Sequence, residues 1–168
     1  MGKSNGSRKK AGLIPSEFRM ALTPGAHVKV WCDVAGFGFW HHGIVTEVQA
    51  SDIRVIHFAY PEGVADASDR SIVDTSLSWF VTGGCNPCLE DDEPDFDLLE
   101  VVQRARSLLG RGGYLLPVRN CEHFASWCRS KTPRSWQVDQ AGNTALIAAA
   151  VFVAMGIALK LFAIVPFA

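Results

Sequence analysis

The chain has 168 residues and a formal net charge of -1. A chain of this length forms one globular domain with some appended segments, and its balanced charge excludes the overall basic field typical of nucleic-acid binding. Five cysteines and a polar N-terminus without a secretory signal pattern favour free thiols in a cytosol-facing domain.

The N-terminal segment, residues 1–22, is predicted to be a basic, flexible arm. Lys3, Arg8, Lys9 and Lys10 lie among glycine and serine residues, a composition suited to solvent near anionic lipid. The start MGKSNGS places Gly6 where the myristoylation pattern requires serine or threonine, so no lipid modification is predicted.

Three short segments rich in β-branched residues follow, namely HVKVWCDV (27–34), HGIVTEV (42–48) and DIRVIHFA (52–59). Turn-prone AGFG and QASD separate them, which predicts three antiparallel strands. A further strand is predicted at SLSWFV (76–81), whereas residues 61–75, rich in Asp, Ala and Ser, are predicted to form a loop.

Two helices are predicted after an acidic patch at residues 90–97. Leu98, Val102, Ala105 and Leu109 recur at helical spacing before a glycine-rich end, which predicts an amphipathic helix of about 13 residues. Asn120 is a good N-cap for a second helix, whose apolar positions share one face: Cys121, Phe124, Ala125 and Cys128. Strands and helices together predict an α+β fold.

The C-terminal segment, residues 144–168, is apolar apart from Lys160. As a helix it would reach about 37 Å, enough to cross a hydrocarbon core of about 30 Å, so it is predicted to be a transmembrane anchor. Arg129, Lys131 and Arg134 precede the span, which predicts that the remaining chain faces the cytosol. Lys160 can reach the far interface with its long side chain.

The sequence RNCEHFASWC contains the strongest candidate for chemistry, Cys121 at the first turn of a predicted helix. Unpaired N–H groups and the helix dipole at that position favour a thiolate, so the pKa of the thiol is expected to lie below its ordinary value. A base would come from the predicted strands, either His41 or His42, with His57 behind it in a nucleophile–base–orienter arrangement.

The motif NCEHF, preceded six residues earlier by Tyr114, and the HHGI and VIHFA segments resemble the lecithin:retinol acyltransferase-like family, which includes small phospholipase A/acyltransferase proteins. The resemblance implies a permuted papain-like thiol hydrolase fold over residues 23–138, a small antiparallel sheet packed on helices, and one C-terminal span. It also implies that Cys121 is the nucleophile, His41 the general base and His57 the orienting group. His42 occupies the variable position of the motif.

The activity implied by the resemblance is that of a membrane-anchored cysteine acyltransferase or phospholipase A-type hydrolase. It would act on glycerophospholipid esters through an acyl-thioester, with water, an amine or a lysolipid as acceptor and without a cofactor or metal. The alternatives are a cysteine peptidase or amidase with the same triad, and a non-catalytic membrane adaptor. A zinc site built from Cys85, Cys88, Cys121, His123 and Cys128 is a further alternative, while His123 is expected to be a structural residue at the helix start.

Overall fold

A computed structural model describes residues 14–34, 36–62, 70–113, 120–132 and 134–145. In chain order the elements of unit 1–134 that the structure describes are α1 (Ser16–Met20), β1 (His27–Val34), β2 (Phe37–Val48), β3 (Ile53–Ala59), β4 (Ser71–Ser76), α2 (Leu77–Phe80), β5 (Gly84–Leu89), α3 (Leu98–Ser107) and α4 (Cys121–Arg129). These strands form one antiparallel sheet in the order β4-β3-β2-β1-β5, and helices accompany it, so the predicted α+β class is confirmed.

The three predicted strands are present as β1, β2 and β3. β2 begins at Phe37, earlier than predicted, because the β1–β2 register continues to the pair Val34 and Phe37. Gly36 closes this hairpin with a φ of +85°, a conformation that glycine adopts without strain. Asp33 stabilises the turn by accepting the Gly36 N–H at 3.1 Å.

The predicted strand at residues 76–81 is wrong, and so is the predicted loop at residues 71–75. Residues Ser71–Ser76 form the edge strand β4, which pairs with β3 from Ala59 to Arg54. The chain then turns into the short helix α2, because the Ser76 hydroxyl accepts the Trp79 N–H and caps it. The alternating pattern of β4 is short and flanked by polar residues, which conceals it in the sequence.

The two faces of the sheet carry separate apolar clusters. One cluster combines Val28, Val30, Val45 and Val55 with side chains of α1 and α2. The other combines strand residues with side chains of α3 and α4, among them Ile44, Ile56, Phe58, Ala105, Cys121, Phe124 and Cys128. Consecutive residues of a strand point to opposite faces, which is why neighbours such as Ile44 and Val45 enter different clusters.

Helix α4 is confirmed where the sequence predicts it. Asn120 caps it by accepting the His123 N–H at 2.9 Å, and the predicted apolar face is buried. Helix α3 is shorter than predicted: Asp97 caps its start, and the chain leaves the helix after Ser107 before the left-handed Gly110.

Two segments predicted to flank the domain have different outcomes. Within the predicted arm, residues Ser16–Met20 form α1, and Phe18 and Leu22 are buried in the first cluster, so the packed chain begins before residue 23.

The chain divides into two compact units, 1–134 and 135–168, and residues 136–145 of the second are helical. Most of the predicted span, residues 146–168, lies outside the described residues. Within the described ranges no helix has the length and hydropathy that a membrane crossing needs.

Candidate active site

The candidate nucleophile, Cys121, is the first residue of α4 and is buried, with 3% of its surface exposed. Its S–H donates a hydrogen bond to the Trp40 carbonyl oxygen on β2, with 3.8 Å between sulfur and oxygen. The sulfur therefore lies against the backbone of β2, directly beside the position of His41.

The expected low pKa of Cys121 is wrong for this state of the protein. Burial raises the pKa of the thiol to about 11, and the Glu122 carboxylate adds to that rise. The N–H groups of His42, Glu122 and Cys121 itself lower the pKa, as the position at a helix start predicts, but desolvation outweighs them. The resting sulfur is consequently a thiol.

The two predicted imidazoles are brought together, with His41 Nε2 and His57 Nδ1 2.8 Å apart. The register pairs His57 with Gly43, so His41 and His57 are diagonal neighbours on one face of β2 and β3. Phe80 of α2 packs against both rings, at 5.3 Å from His41 and 5.1 Å from His57. The strand pairing and α2 thus fix the positions of both rings.

The hydrogen bonds beyond His57 determine which ring nitrogens carry protons. The Thr75 hydroxyl donates to the Ser76 carbonyl at 3.3 Å, so its oxygen accepts the N–H of His57 Nε2 at 2.8 Å. His57 Nδ1 is then unprotonated and accepts the N–H of His41 Nε2. Nδ1 of His41 therefore carries the free lone pair that a general base needs.

Both rings are neutral at physiological pH. Burial, followed by the charge of Arg70, lowers the pKa of His41 to about 4. Burial and the neighbouring His41 hold the pKa of His57 well below its usual range. A neutral His41 can accept a proton, which is the role that a base beside a thiol requires.

The sulfur and the imidazole pair do not yet form a connected triad. Among the described residues, no hydrogen bond links Sγ of Cys121 to His41 or His57. His57 and its neighbour Phe80 lie on the α2 side of the sheet, whereas Cys121 belongs to the cluster beneath α3 and α4. The sulfur instead contacts the backbone on both sides of His41, through Trp40 and His42.

The imidazole pair lines a cavity of about 240 Å³ on the α2 side of the sheet. Aromatic side chains contribute much of its wall, with Arg70 and Thr82 among the polar groups. An apolar cavity with a base at its wall is suited to an ester with a hydrocarbon chain.

A second imidazole pair lies on the Cys121 side of the sheet and was not predicted. His42 Nδ1 and His27 Nε2 are 2.9 Å apart, and His27 Nδ1 lies 3.1 Å from an oxygen of Asp92. Arg129, the last residue of α4, donates to Asp92 at 2.9 Å and to the Gly25 carbonyl at 2.7 Å. The chain Arg129–Asp92–His27–His42 therefore ties the end of α4 to the strands that hold its start.

Within this network the His42 ring is neutral, and Asp92 pairs with both His27 and Arg129. Burial and the neighbouring His27 lower the pKa of His42 to about 2. Burial opposes ionisation of Asp92, but the hydrogen bond from His27 and the charge of Arg129 hold its pKa below the usual value. The sequence could have indicated this network, because the pairing of β1 with β2 makes His27 and His42 diagonal neighbours in the hairpin.

The remaining candidate residues do not form a metal site. His123 donates its N–H to the capping Asn120 oxygen, and its Nδ1 lies 3.0 Å from the same oxygen, which agrees with a structural role at the helix start. Cys85 and Cys88 lie on β5, whereas Cys128 is fully buried beneath α3 and α4. Across the described ranges, no three His, Cys, Asp or Glu side chains are grouped to hold a metal ion, so the zinc alternative has no support.

Comparison with known proteins identifies the family to which the chain belongs. The human protein Phospholipase A and acyltransferase 2 is 29% identical over 136 residues, which cover 73% of this chain and 82% of that protein. Bovine Lecithin retinol acyltransferase is 54% identical over 41 residues, 24% of this chain and 18% of that protein. The human Lecithin retinol acyltransferase is 48% identical over 48 residues, 29% of this chain and 21% of that protein.

The matched regions differ in extent. The chain spans about a fifth of the length of the two lecithin retinol acyltransferases and most of the length of the phospholipase A and acyltransferase. The family model for Lecithin retinol acyltransferase matches residues 21–134, which include all five strands and Cys121. Because this match covers more than half of the sequence, the chain belongs to the lecithin retinol acyltransferase family.

Proposed function

We propose that the protein is a thiol-dependent acyltransferase or phospholipase A-type hydrolase of membrane glycerophospholipids. Cys121 is the nucleophile, His41 the general base and His57 the group that orients the base. The observation that carries the proposal is the Thr75–His57–His41 chain, which leaves a neutral imidazole with a free lone pair beside the backbone that holds the sulfur. Membership of the family and the relative named as a phospholipase A and acyltransferase support the substrate class.

The reaction starts from a thiol and a neutral imidazole. The proposed reaction requires a movement that brings Sγ of Cys121 from its resting position on the α3 and α4 side of β2 to Nδ1 of His41. His41 then takes the S–H proton as Sγ attacks the ester carbonyl carbon. The tetrahedral intermediate then expels the lysophospholipid alkoxide, which receives that proton, and the acyl group remains on sulfur as a thioester. Water, an amine or a lysolipid hydroxyl next attacks the thioester, and its proton returns through His41 to the thiolate.

Backbone N–H groups provide the electrostatic part of this mechanism. The N–H groups of His42, Glu122 and Cys121 lower the pKa of the buried thiol, which means that they are placed to stabilise negative charge at the sulfur. The same donors would stabilise the oxyanion once the carbonyl carbon is bonded to that sulfur. The network through His27, Asp92 and Arg129 holds the His42 side chain, and so supports the position of the adjoining peptide.

The membrane part of the proposal concerns residues 144–168. We propose that they anchor a cytosol-facing catalytic domain of permuted papain-like type, spanning residues 23–138, and that the basic residues of the N-terminal arm lie close to anionic lipid. An anchor keeps the active site near lipid esters and raises their effective concentration.

Incubation of the full chain with phosphatidylcholine vesicles, followed by intact-protein and peptide mass spectrometry, tests the proposal. We expect an acyl adduct on Cys121 and release of lysophospholipid, and neither in a Cys121→Ala variant. A Cys85→Ser variant is the matched control, because Cys85 is an exposed thiol on β5. Unchanged lysophospholipid release by Cys121→Ala would exclude the thioester mechanism.

The buried, protonated state of Cys121 favours one other function, a non-catalytic membrane adaptor that keeps the fold. The adaptor predicts that no vesicle composition produces an acyl adduct and that Cys121→Ser preserves every cellular property of the wild type. The vesicle experiment separates the two functions, because only the enzyme forms a covalent intermediate.

The anchor requires its own test. A chain shortened to residues 1–143 should no longer sediment with vesicles but should still hydrolyse a soluble short-chain ester. If the shortened chain still sediments with vesicles at high salt, the anchor proposal is wrong, whatever its esterase activity.

A further inference from the structure

The cavity beside His41 and His57 combines an apolar wall with one permanent positive charge. Its described lining contains no Asp or Glu, and Arg70 is its one Lys or Arg. The aromatic part of the wall comes from strand and helix residues on both sides of the imidazole pair: Phe39, Phe58, Tyr60, Trp79 and Phe80. A cavity of this kind fits a ligand that carries an anionic group close to a hydrocarbon chain.

Arg70 lies directly before β4 and is held beside the cavity. Its guanidinium carbon lies 5.2 Å from the centre of the Tyr60 ring, a cation–π distance. Its charge also reaches His41, because after burial it is the next contribution that lowers the pKa of that ring. The cation, the aromatic ring and the base thus share one cavity.

We propose that Arg70 binds the phosphodiester of the glycerophospholipid substrate and thereby places the acyl ester at His41. This inference rests on the proposed function and names the group that selects its substrate class. A guanidinium presents several N–H donors in a plane that matches the oxygens of a phosphate, so it can form charge-assisted hydrogen bonds to the phosphodiester. The aromatic wall then receives the hydrocarbon chain.

Binding of the phosphodiester would also change the base. Arg70 is the cation that lowers the pKa of His41, so a phosphate bound to Arg70 adds a negative charge that acts in the opposite direction and raises that pKa. Among the described residues, the other groups recorded at His41 are His57 and His42, which are neutral, and Phe80, which carries no charge. His41 therefore becomes a stronger base when a phosphodiester is bound at Arg70 than when the cavity holds an ester without one.

Two short-chain esters with the same acyl groups test the proposal, a phosphatidylcholine and a diacylglycerol, both presented in neutral detergent micelles. For Arg70→Gln we expect kcat/KM to fall at least about tenfold on the phosphatidylcholine, mainly through KM, and to change less than about threefold on the diacylglycerol. Arg70→Lys, which keeps the charge, should recover part of the loss. Equal effects on the two esters, or none, would overturn the proposal.

Arg106→Gln is the matched control for a lost surface charge, because Arg106 lies on α3, pairs with Glu47 and does not line the cavity. It should leave the preference between the two esters unchanged. If Arg106→Gln lowers the preference as much as Arg70→Gln does, a general attraction of the anionic group replaces the Arg70 site.

A binding measurement keeps the test independent of turnover and of the proposed enzyme. In the Cys121→Ala protein, glycerophosphocholine should raise the pKa of the His41 ring, followed by NMR, and should leave it unchanged in the Cys121→Ala, Arg70→Gln protein. The absence of a shift in the first protein would overturn the Arg70 site. Failure of wild-type protein to turn over either ester would instead reject the proposed function, while a shift that depends on Arg70 would still support the anion site.

Discussion

The sulfur of Cys121 donates its proton to the carbonyl oxygen of Trp40, 3.8 Å away, and so contacts the residue that precedes His41 in β2. This contact places the proposed nucleophile beside the backbone of the proposed base while the thiol remains protonated. In the resting protein the sulfur is therefore buried on the α3 and α4 side of β2, and the proposed reaction requires a movement that brings it to His41. The first prediction tests this resting state.

The Cys121 thiol should react slowly with an alkylating reagent. With a pKa of about 11, only about one thiol in ten thousand is ionised at pH 7, and its surface is almost entirely covered. Iodoacetamide should therefore modify the exposed Cys85 well before Cys121, as measured by peptide mass spectrometry over time. Faster modification of Cys121 at pH 7 would show that the thiolate, and not the thiol, is its resting form.

The hydroxyl of Thr75 should matter for activity although it is remote from Cys121. Thr75→Val removes the acceptor of the His57 N–H and leaves that buried donor unpaired, which frees His57 to adopt the other tautomer. We expect kcat to fall about tenfold with little change in KM.

Thr46→Val is its control, because Thr46 is also buried and its hydroxyl donates to a backbone carbonyl, that of Arg54, at 3.5 Å. Both variants should be compared by kcat and by thermal melting. Equal losses of kcat in the two variants would mean that the Thr75 hydroxyl does not orient the imidazole pair.

The network that ends at Arg129 should contribute strongly to stability. Arg129→Met removes the guanidinium that pairs with the Asp92 carboxylate and so weakens the support for the contact between Asp92 and His27. We expect a loss of about 3 kcal/mol in the free energy of unfolding. Arg106→Met, which breaks a half-exposed pair with Glu47, should cost less than about 1 kcal/mol. Urea denaturation of both variants measures the difference, and similar losses would contradict a structural role for the buried network.

Stability should fall as the pH drops below about 6.5. His41, His42 and His57 have lowered pKa values in the folded protein, so the unfolded chain binds more protons than the folded one once the pH is below 6.5. The stabilisation is fully present above pH 6.5 and decreases toward pH 4, by up to about 4 kcal/mol per pH unit for three such groups.

Urea denaturation at pH 7, 6 and 5 tests the direction and the size of this decrease. A His41→Gln variant removes one of the three rings and should lower the slope by about a third. Constant stability from pH 7 to pH 5 would mean that the three imidazoles are not held neutral in the folded protein.

Local patterns in the sequence determined the elements around the site. Asn120 before an apolar stripe predicts α4 because an asparagine side chain accepts the first free N–H groups of a helix, and β-branched alternation predicts β1, β2 and β3. The motif around Cys121 and the two histidine segments also pointed to the family that the family model confirms. The edge strand β4 was missed, because its pairing partner β3 stabilises it and its own composition does not.

The tertiary structure alone decided the chemistry of each group. A helix start favours a thiolate at Cys121, yet the desolvation of the sulfur beneath the sheet outweighs those N–H groups. Strand register, which depends on distant pairs such as Gly43 and His57, brings two imidazoles together and joins His27 to His42 on the opposite face. Helix caps and hydrophobic periodicity are local features, so the sequence by itself determined most of the helices and strands. Burial and strand register arise from contacts between residues far apart in the chain, and for that reason only the tertiary structure determined which groups carry protons.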